Sequence, residues 1–399
     1  MDELANLLIW AARRAGVSLL EICPYPDDGF EDVRIVRDDS FYGINPAFTA
    51  GHLDLMTTFD QALDNQLLSS DFSETYFNRF RRIAIDMRQR STSEGFEFYN
   101  GLLARLKKVT VEQGHSPHQP VLSVTIGGTS YFTAIGTNIH FGGYDYHLTH
   151  SQESPLPQRL HWPSTSDWGK ALEISSLANA LAIHLFLYNE REIIYVRRGK
   201  VGQSTGLWNS TVNGVMEFSH DHPDMIAGKP DVRATAQRET SYELDIDIDH
   251  RNIKWLGMGA TLSKCEPFII GVCKTPQSKS DIALAALESS EQREIDDKAK
   301  RTSREKEIRA IHRKFAVRTT DVSFGVGSLT IPYQITTPAR LRQVVQQKVL
   351  QRSEKSFLQR DTGWTDAGAA SLLLCLAHLS NRSELQNTLE ALKREYEGR

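Results

Sequence analysis

Between Ala182 and Cys273, short apolar runs lie on either side of one helical stretch, and this pattern limits the possible folds more than any other feature. Ala182–Tyr188 and Glu192–Arg197 are too short for stable helices, and the turn residues Asn189-Glu190 join them, so they read as paired strands. Ile253–Leu262 and Pro267–Cys273 read the same way. Between the two pairs, Arg233–Glu243 reads as a helix with small residues at Ala234 and Ala236. Leu244, Ile246 and Ile248 then alternate with acids at strand period. Strands that enclose a helix predict an α/β (α+β) fold.

At 399 residues the chain is too long for one ordinary core, so two domains are expected. Residues 1–150 read as an N-terminal α+β domain. It opens with a helix over Asp2–Ala15 that Gly16 stops, followed by strands near Val17–Cys23 and Val33–Val36. A further helix starts at Asp71, with Glu74 completing a capping box. Its apolar face carries Tyr76, Phe77, Phe80, Ile83 and Met87, and its solvated face Arg79, Arg82 and Arg90. Val121–Ile126 and Tyr131–Ile135 read as a hairpin broken at Gly127-Gly128. Tyr144, Tyr146, His147 and His150 cluster on an expected strand edge. Residues 151–168 are the candidate linker, rich in Pro, Ser and Gln.

The second domain is expected over 169–380, with a charged helical insertion at about 278–318. Acids precede bases in that insertion, the order a helix macrodipole favours. Val322–Ile331 reads as a strand. Pro338–Gln351, Asp366–Leu379 and Ser383–Glu397 read as helices, the last within a C-terminal segment at 381–399.

A net charge of −4 gives no basis for binding nucleic acid or an anionic membrane surface. The four cysteines, Cys23, Cys265, Cys273 and Cys375, form no C-x-x-C pair and read as reduced thiols. Arg13 and Arg14 follow the first apolar stretch, the wrong order for a signal peptide, and the stretch is too short to span a bilayer. The expected setting is cytoplasmic.

The chemistry lies in Arg238-Glu239-Thr240-Ser241-Tyr242-Glu243. Glu239 and Glu243 are one helical turn apart, so both carboxylates share a face. Such a pair can share a hard divalent cation, Mg²⁺ or Mn²⁺, which in turn neutralises a diphosphate. Arg238 beside them can hold the helix or a phosphate in register. His220 and His222 also flank acids, but H-x-H without further spaced ligands reads as a polar loop.

Arg238 through Ile246 resembles the end of the Nudix box, G-x5-E-x7-R-E-U-x-E-E-x-G-U with U aliphatic. Arg238, Glu239, Glu243 and Ile246 match. Thr240 stands at the aliphatic position, Tyr242 at a glutamate, and Asp245 at the glycine that ends the helix. Asn213-Gly214-Val215-Met216-Glu217 is similar to the family's glycine turn. The loop from there to Arg238 is longer than the family's by about ten residues, so Pro230 falls at the upstream glutamate and Asp231 lies one place beyond. A strand ending at Arg198, the turn Gly206-Leu207-Trp208, and strands after the box follow the family's order.

The resemblance implies a Nudix-like α/β/α sandwich acting on a nucleoside diphosphate linked to another moiety, such as ADP-ribose or a dinucleotide. It assigns Glu239 and Arg238 to catalysis and Glu239 and Glu243 to the metal. Glu217, Asp231 and Glu266 are auxiliary carboxylates, with Asp221 and Asp224 in reserve in the loop, and Arg198 and Trp208 contact the nucleotide. Tyr242 weakens this set, because a phenol is a poor substitute for a carboxylate on Mg²⁺. Three readings stay open: a weakened metal-dependent hydrolase, an inactive nucleotide-binding sensor or regulatory module, and a scaffold. A second copy or a protein partner would use the N-terminal domain or the charged insertion.

Overall fold

The structure is a computed structural model and describes residues 3–21, 29–43, 101–115, 119–139, 172, 177–197, 207–218, 224–227, 229–286, 326–330, 338–350 and 363–398. The expected helix from Asp71, the Tyr144–His150 cluster, the linker, Arg198 and the charged insertion beyond residue 286 lie outside them.

Helix α1 (Glu3–Arg14) buries Leu4, Leu7, Leu8 and Ala11 at helical spacing and ends at Gly16, whose φ of 84° suits a residue without a Cβ. Strands β1 (Val17–Leu19) and β2 (Asp32–Phe41) follow, then β3 (Leu102–Glu112) and β4 (Val121–Ser130). The chain turns helical at α2 (Tyr131–Ala134) and continues as a π-helical turn over Ile135–Ile139. This differs from the expected hairpin. Gly127 and Gly128 lie inside a continuous strand, and Tyr131–Ile135 is helical. The glycines are needed for close approach: a Cβ would sit 2.9 Å from the Ser40 carbonyl at Gly127 and 2.9 Å from the Phe41 ring at Gly128.

Next come β5 (Ala182–Tyr188), β6 (Glu192–Arg197), β7 (Trp208–Ser210), β8 (Val212–Val215) and the small ladder of β9 (Met225–Ile226) with β10 (Lys229–Pro230). Helix α3 (Val232–Leu244) precedes β11 (Ile253–Thr261) and β12 (Pro267–Lys274). A helical stretch at 279–286 and β13 (Val326–Thr330) come after. The chain closes with α4 (Pro338–Val344), which runs into a π-helical turn at Val345–Leu350, then α5 (Asp366–Leu379) and α6 (Arg382–Glu397). Among the described residues no helix is long and apolar enough to cross a membrane.

The large sheet runs β1-β11-β12-β5-β6-β13, with β7 on β6 and β8 on β5. The β12–β5 pair is parallel and its neighbours are antiparallel, so the sheet is mixed and the chain belongs to the α/β class. Strands β2, β4 and β3 form a second sheet. Strand β1 is an edge strand of the large sheet, paired with β11. Strand β3 also bonds along the segments flanking β5 and β8, with Ala104 N–H donating to the Met216 carbonyl and Leu181 N–H to the Ala104 carbonyl, 2.8 Å each. One buried core runs from α1 through both sheets to α5 and α6. Helix α5 packs on β5, β7, β11 and β12, and α3 on β8 and β5.

Candidate functional site

Helix α3 carries the site, and its two ends fix its position. At the start Asp231 is the N-cap, accepting from Arg233 N–H at 2.8 Å. At the end Asp245 adopts the left-handed conformation, φ 54° and ψ 38°, with its N–H donating to the Ser241 carbonyl. This is the position where the family pattern has glycine, and the aspartate takes the glycine's geometry. Thr240 is fully buried, and its hydroxyl donates to the Ala236 carbonyl at 2.6 Å, so a polar residue sits at an aliphatic position without an unmet donor. Beyond the helix Ile246 and Ile248 are buried and alternate with exposed acids as expected, but they form no ladder. There the Ile248 carbonyl accepts from the Gln237 side chain.

Arg238 is the centre of the site. Its guanidinium grips Asp224 with two bonds, Nε to Oδ1 at 2.7 Å and Nη2 to Oδ2 at 2.9 Å. It also donates to Glu239 Oε1 at 2.5 Å and to the Val215 carbonyl at 3.2 Å, and it faces Glu217 Oε1 at 3.6 Å. Asp224 is 1% exposed and also accepts from the Glu217 N–H at 2.7 Å, so one carboxylate ties the glycine turn to the helix. Burial alone would lower the pKa of Arg238. The bonds to Asp224 and the fields of Glu239, Asp224 and Glu217 outweigh burial and raise it. Glu239 lies over Gly214, where a Cβ would sit 2.4 Å from its carboxyl carbon, so that glycine is required by contact. Glu243 is buried on the same helix and Tyr242 is half-buried.

The expected site residues thus divide. Arg238, Glu239 and Glu217 come together with Asp224, which the sequence offers only as one of the loop's reserve carboxylates. No spacing rule marks Asp224, because the fold of the loop through β9 and β10 carries it to Arg238. Asp231 acts as the helix cap, one residue past Pro230 in β10. Glu266 sits in the β11–β12 turn, where its backbone pairs with Thr261. Trp208 stands in another cluster, edge-on to Tyr195 at 4.9 Å and bridged along the backbone to Trp364.

Among the described residues no group of three or more His, Cys, Asp or Glu side chains is placed to hold a metal ion. Glu239 shares an oxygen with Arg238, and Tyr242 offers a phenol where the box has a carboxylate. These residues do not fit a resident catalytic metal.

No family model and no curated protein matches the chain. One similar solved structure is that of DR0079 from Deinococcus radiodurans. It is 13% identical, covers 42% of this chain and 72% of that one, and has a TM-score of 0.23. At that overlap the likeness identifies neither fold nor function.

Proposed function

We propose that this chain is a Nudix-like nucleotide-binding regulatory module that has lost rapid hydrolysis. The observation that supports this reading is the single guanidinium of Arg238 lying among Asp224, Glu239 and Glu217. That arrangement preserves the turn-and-helix frame of a phosphate site. It also neutralises the carboxylates that phosphoryl transfer would need for a metal. The ligand class, a nucleoside diphosphate linked to another moiety, rests on the resemblance of Arg238–Ile246 to the Nudix box. Output would pass to a partner or a second copy through residues 1–150 or the charged insertion. A cytoplasmic setting suits the free buried thiols of Cys265 and Cys273, which burial raises to about 12.

A second reading, a weakened hydrolase, is favoured by the one-turn spacing of Glu239 and Glu243 on α3. Release of phosphate or mononucleotide from ADP-ribose and dinucleotides, with Mg²⁺ or Mn²⁺, separates the two. The regulatory reading expects no metal-dependent release by the folded wild type. Release that both Glu239→Gln and Glu243→Gln abolish would replace it with the hydrolase.

A further inference from the structure

Away from α3, the π-helical turn after α4 places Lys348 against an aromatic wall. Its Nζ lies 5.2 Å from the Tyr195 ring centroid and 5.5 Å from that of Trp364. Tyr195 and Trp364 are themselves 4.9 Å apart, and Trp208 meets Tyr195 edge-on at the same separation. Trp364 is 2% exposed, and its Nε1 is a buried donor without a hydrogen-bond partner among the described residues. Lys348 has no ion pair among the described residues. Burial pushes its pKa down, so the ammonium is desolvated without a counter-charge.

Packing alone does not account for this. A methionine would fill the same space without desolvating an ammonium, and cation–π attraction offsets only part of that desolvation. Among the described residues Lys348 Nζ, set beside the Trp364 ring, and Trp364 Nε1, one cationic and one neutral, have no acceptor. The complement to that set is an acceptor with negative charge.

We infer that Lys348 and Trp364, walled by Tyr195 and Trp208, form a binding niche for an oxyanion, a phosphoryl or carboxylate group carried on a flat apolar body. The oxyanion accepts from Lys348 Nζ and Trp364 Nε1, and the rings cover the body by stacking or edge contact. The niche depends on neither a cation at Glu239 nor hydrolysis there.

The test is equilibrium binding of phenyl phosphate, benzoate and inorganic phosphate to the full chain, followed by calorimetry and tryptophan fluorescence. The wild type should saturate with at least one aromatic oxyanion and bind it more tightly than inorganic phosphate. Whichever of phenyl phosphate and benzoate binds tighter identifies the preferred head group. Lys348→Met should weaken binding by about tenfold or more. Trp364→Phe keeps an aromatic face and removes the donor, so it should weaken binding by a smaller factor even if Lys348→Met fails to fold. Glu239→Gln should bind as wild type does. The proposal is overturned if the wild type does not saturate with any probe, or if folded Lys348→Met and Trp364→Phe titrate unchanged. It also fails if binding is lost in Glu239→Gln and kept in Lys348→Met.

Discussion

Removing the Arg238 side chain should cost far more than removing an ordinary surface arginine. The guanidinium is 11% exposed and the Asp224 carboxylate 1%, and they share two hydrogen bonds of 2.7 and 2.9 Å. Arg238→Met strands Asp224 in the interior with only the Glu217 N–H, and it releases Glu239 and the Val215 carbonyl. Losing one partner of a buried pair costs about 3–5 kcal/mol. Asp224→Leu leaves the guanidinium its Glu239 bond, so its cost should be smaller, about 1–3 kcal/mol. The double variant removes the stranded charge and should be more stable than Arg238→Met alone. Urea midpoints at constant m-value measure all three. An Arg238→Met variant within about 1 kcal/mol of wild type would refute the reasoning, as would a double variant whose cost is the sum of the singles.

Other positions make separate predictions. Asn138 donates to the Lys264 and Cys265 carbonyls at 3.1 and 2.8 Å and accepts from Asn179 N–H at 3.0 Å. Asn138→Ala should therefore cost about 1–3 kcal/mol in urea denaturation, since its buried partners lose their bonds. Asp245→Gly should stabilise the chain by about 1 kcal/mol by the same measure, because the residue already holds a left-handed backbone. Asp38 is held down to about 2, chiefly by its hydrogen bond from Lys107, against an ordinary 3.8. A lowered carboxylate contributes stability above its unfolded pKa and loses it as pH falls through the folded one. Asp38→Asn should thus be less stable than wild type at pH 6, by up to about 1 kcal/mol for so exposed a pair, with the gap closing between pH 4 and pH 2. A gap that stays constant in acid would contradict that linkage.

The elements with local stop signals are legible in the sequence. Helices α1, α3, α5 and α6 fall within a few residues of their expected bounds, as do β5, β6, β11 and β12, whereas α4 starts at the expected Pro338 but gives way to a π-helical turn at Val345. Gly16 acts over one turn, which is why sequence alone marks it, whereas the caps Asp231, Thr365 and Asn381 are seen only in the structure. Strand β3 carries no such signal. A register shift between Leu106 and Lys108 changes which side chains face the core, so its alternation breaks midway. Gly127 and Gly128 read as a break because their reason lies in Ser40, Phe41 and Phe218, remote in sequence. The site follows the same rule. Glu239 and Glu243 share a face by helical period, but the Asp224–Arg238 grip depends on a loop whose path no pattern gives. The Lys348 niche joins β6, β7 and two C-terminal segments, a tertiary meeting with no motif.

The central claim is nucleotide binding without rapid turnover, and one calorimetric titration tests it most directly. The folded chain would be titrated with ADP-ribose and with a dinucleotide, with Mg²⁺ and with chelator, and the ligand recovered afterwards. The account predicts saturable binding and an intact ligand. Absence of binding under every condition, or ligand consumed only when Mg²⁺ is present, would contradict it.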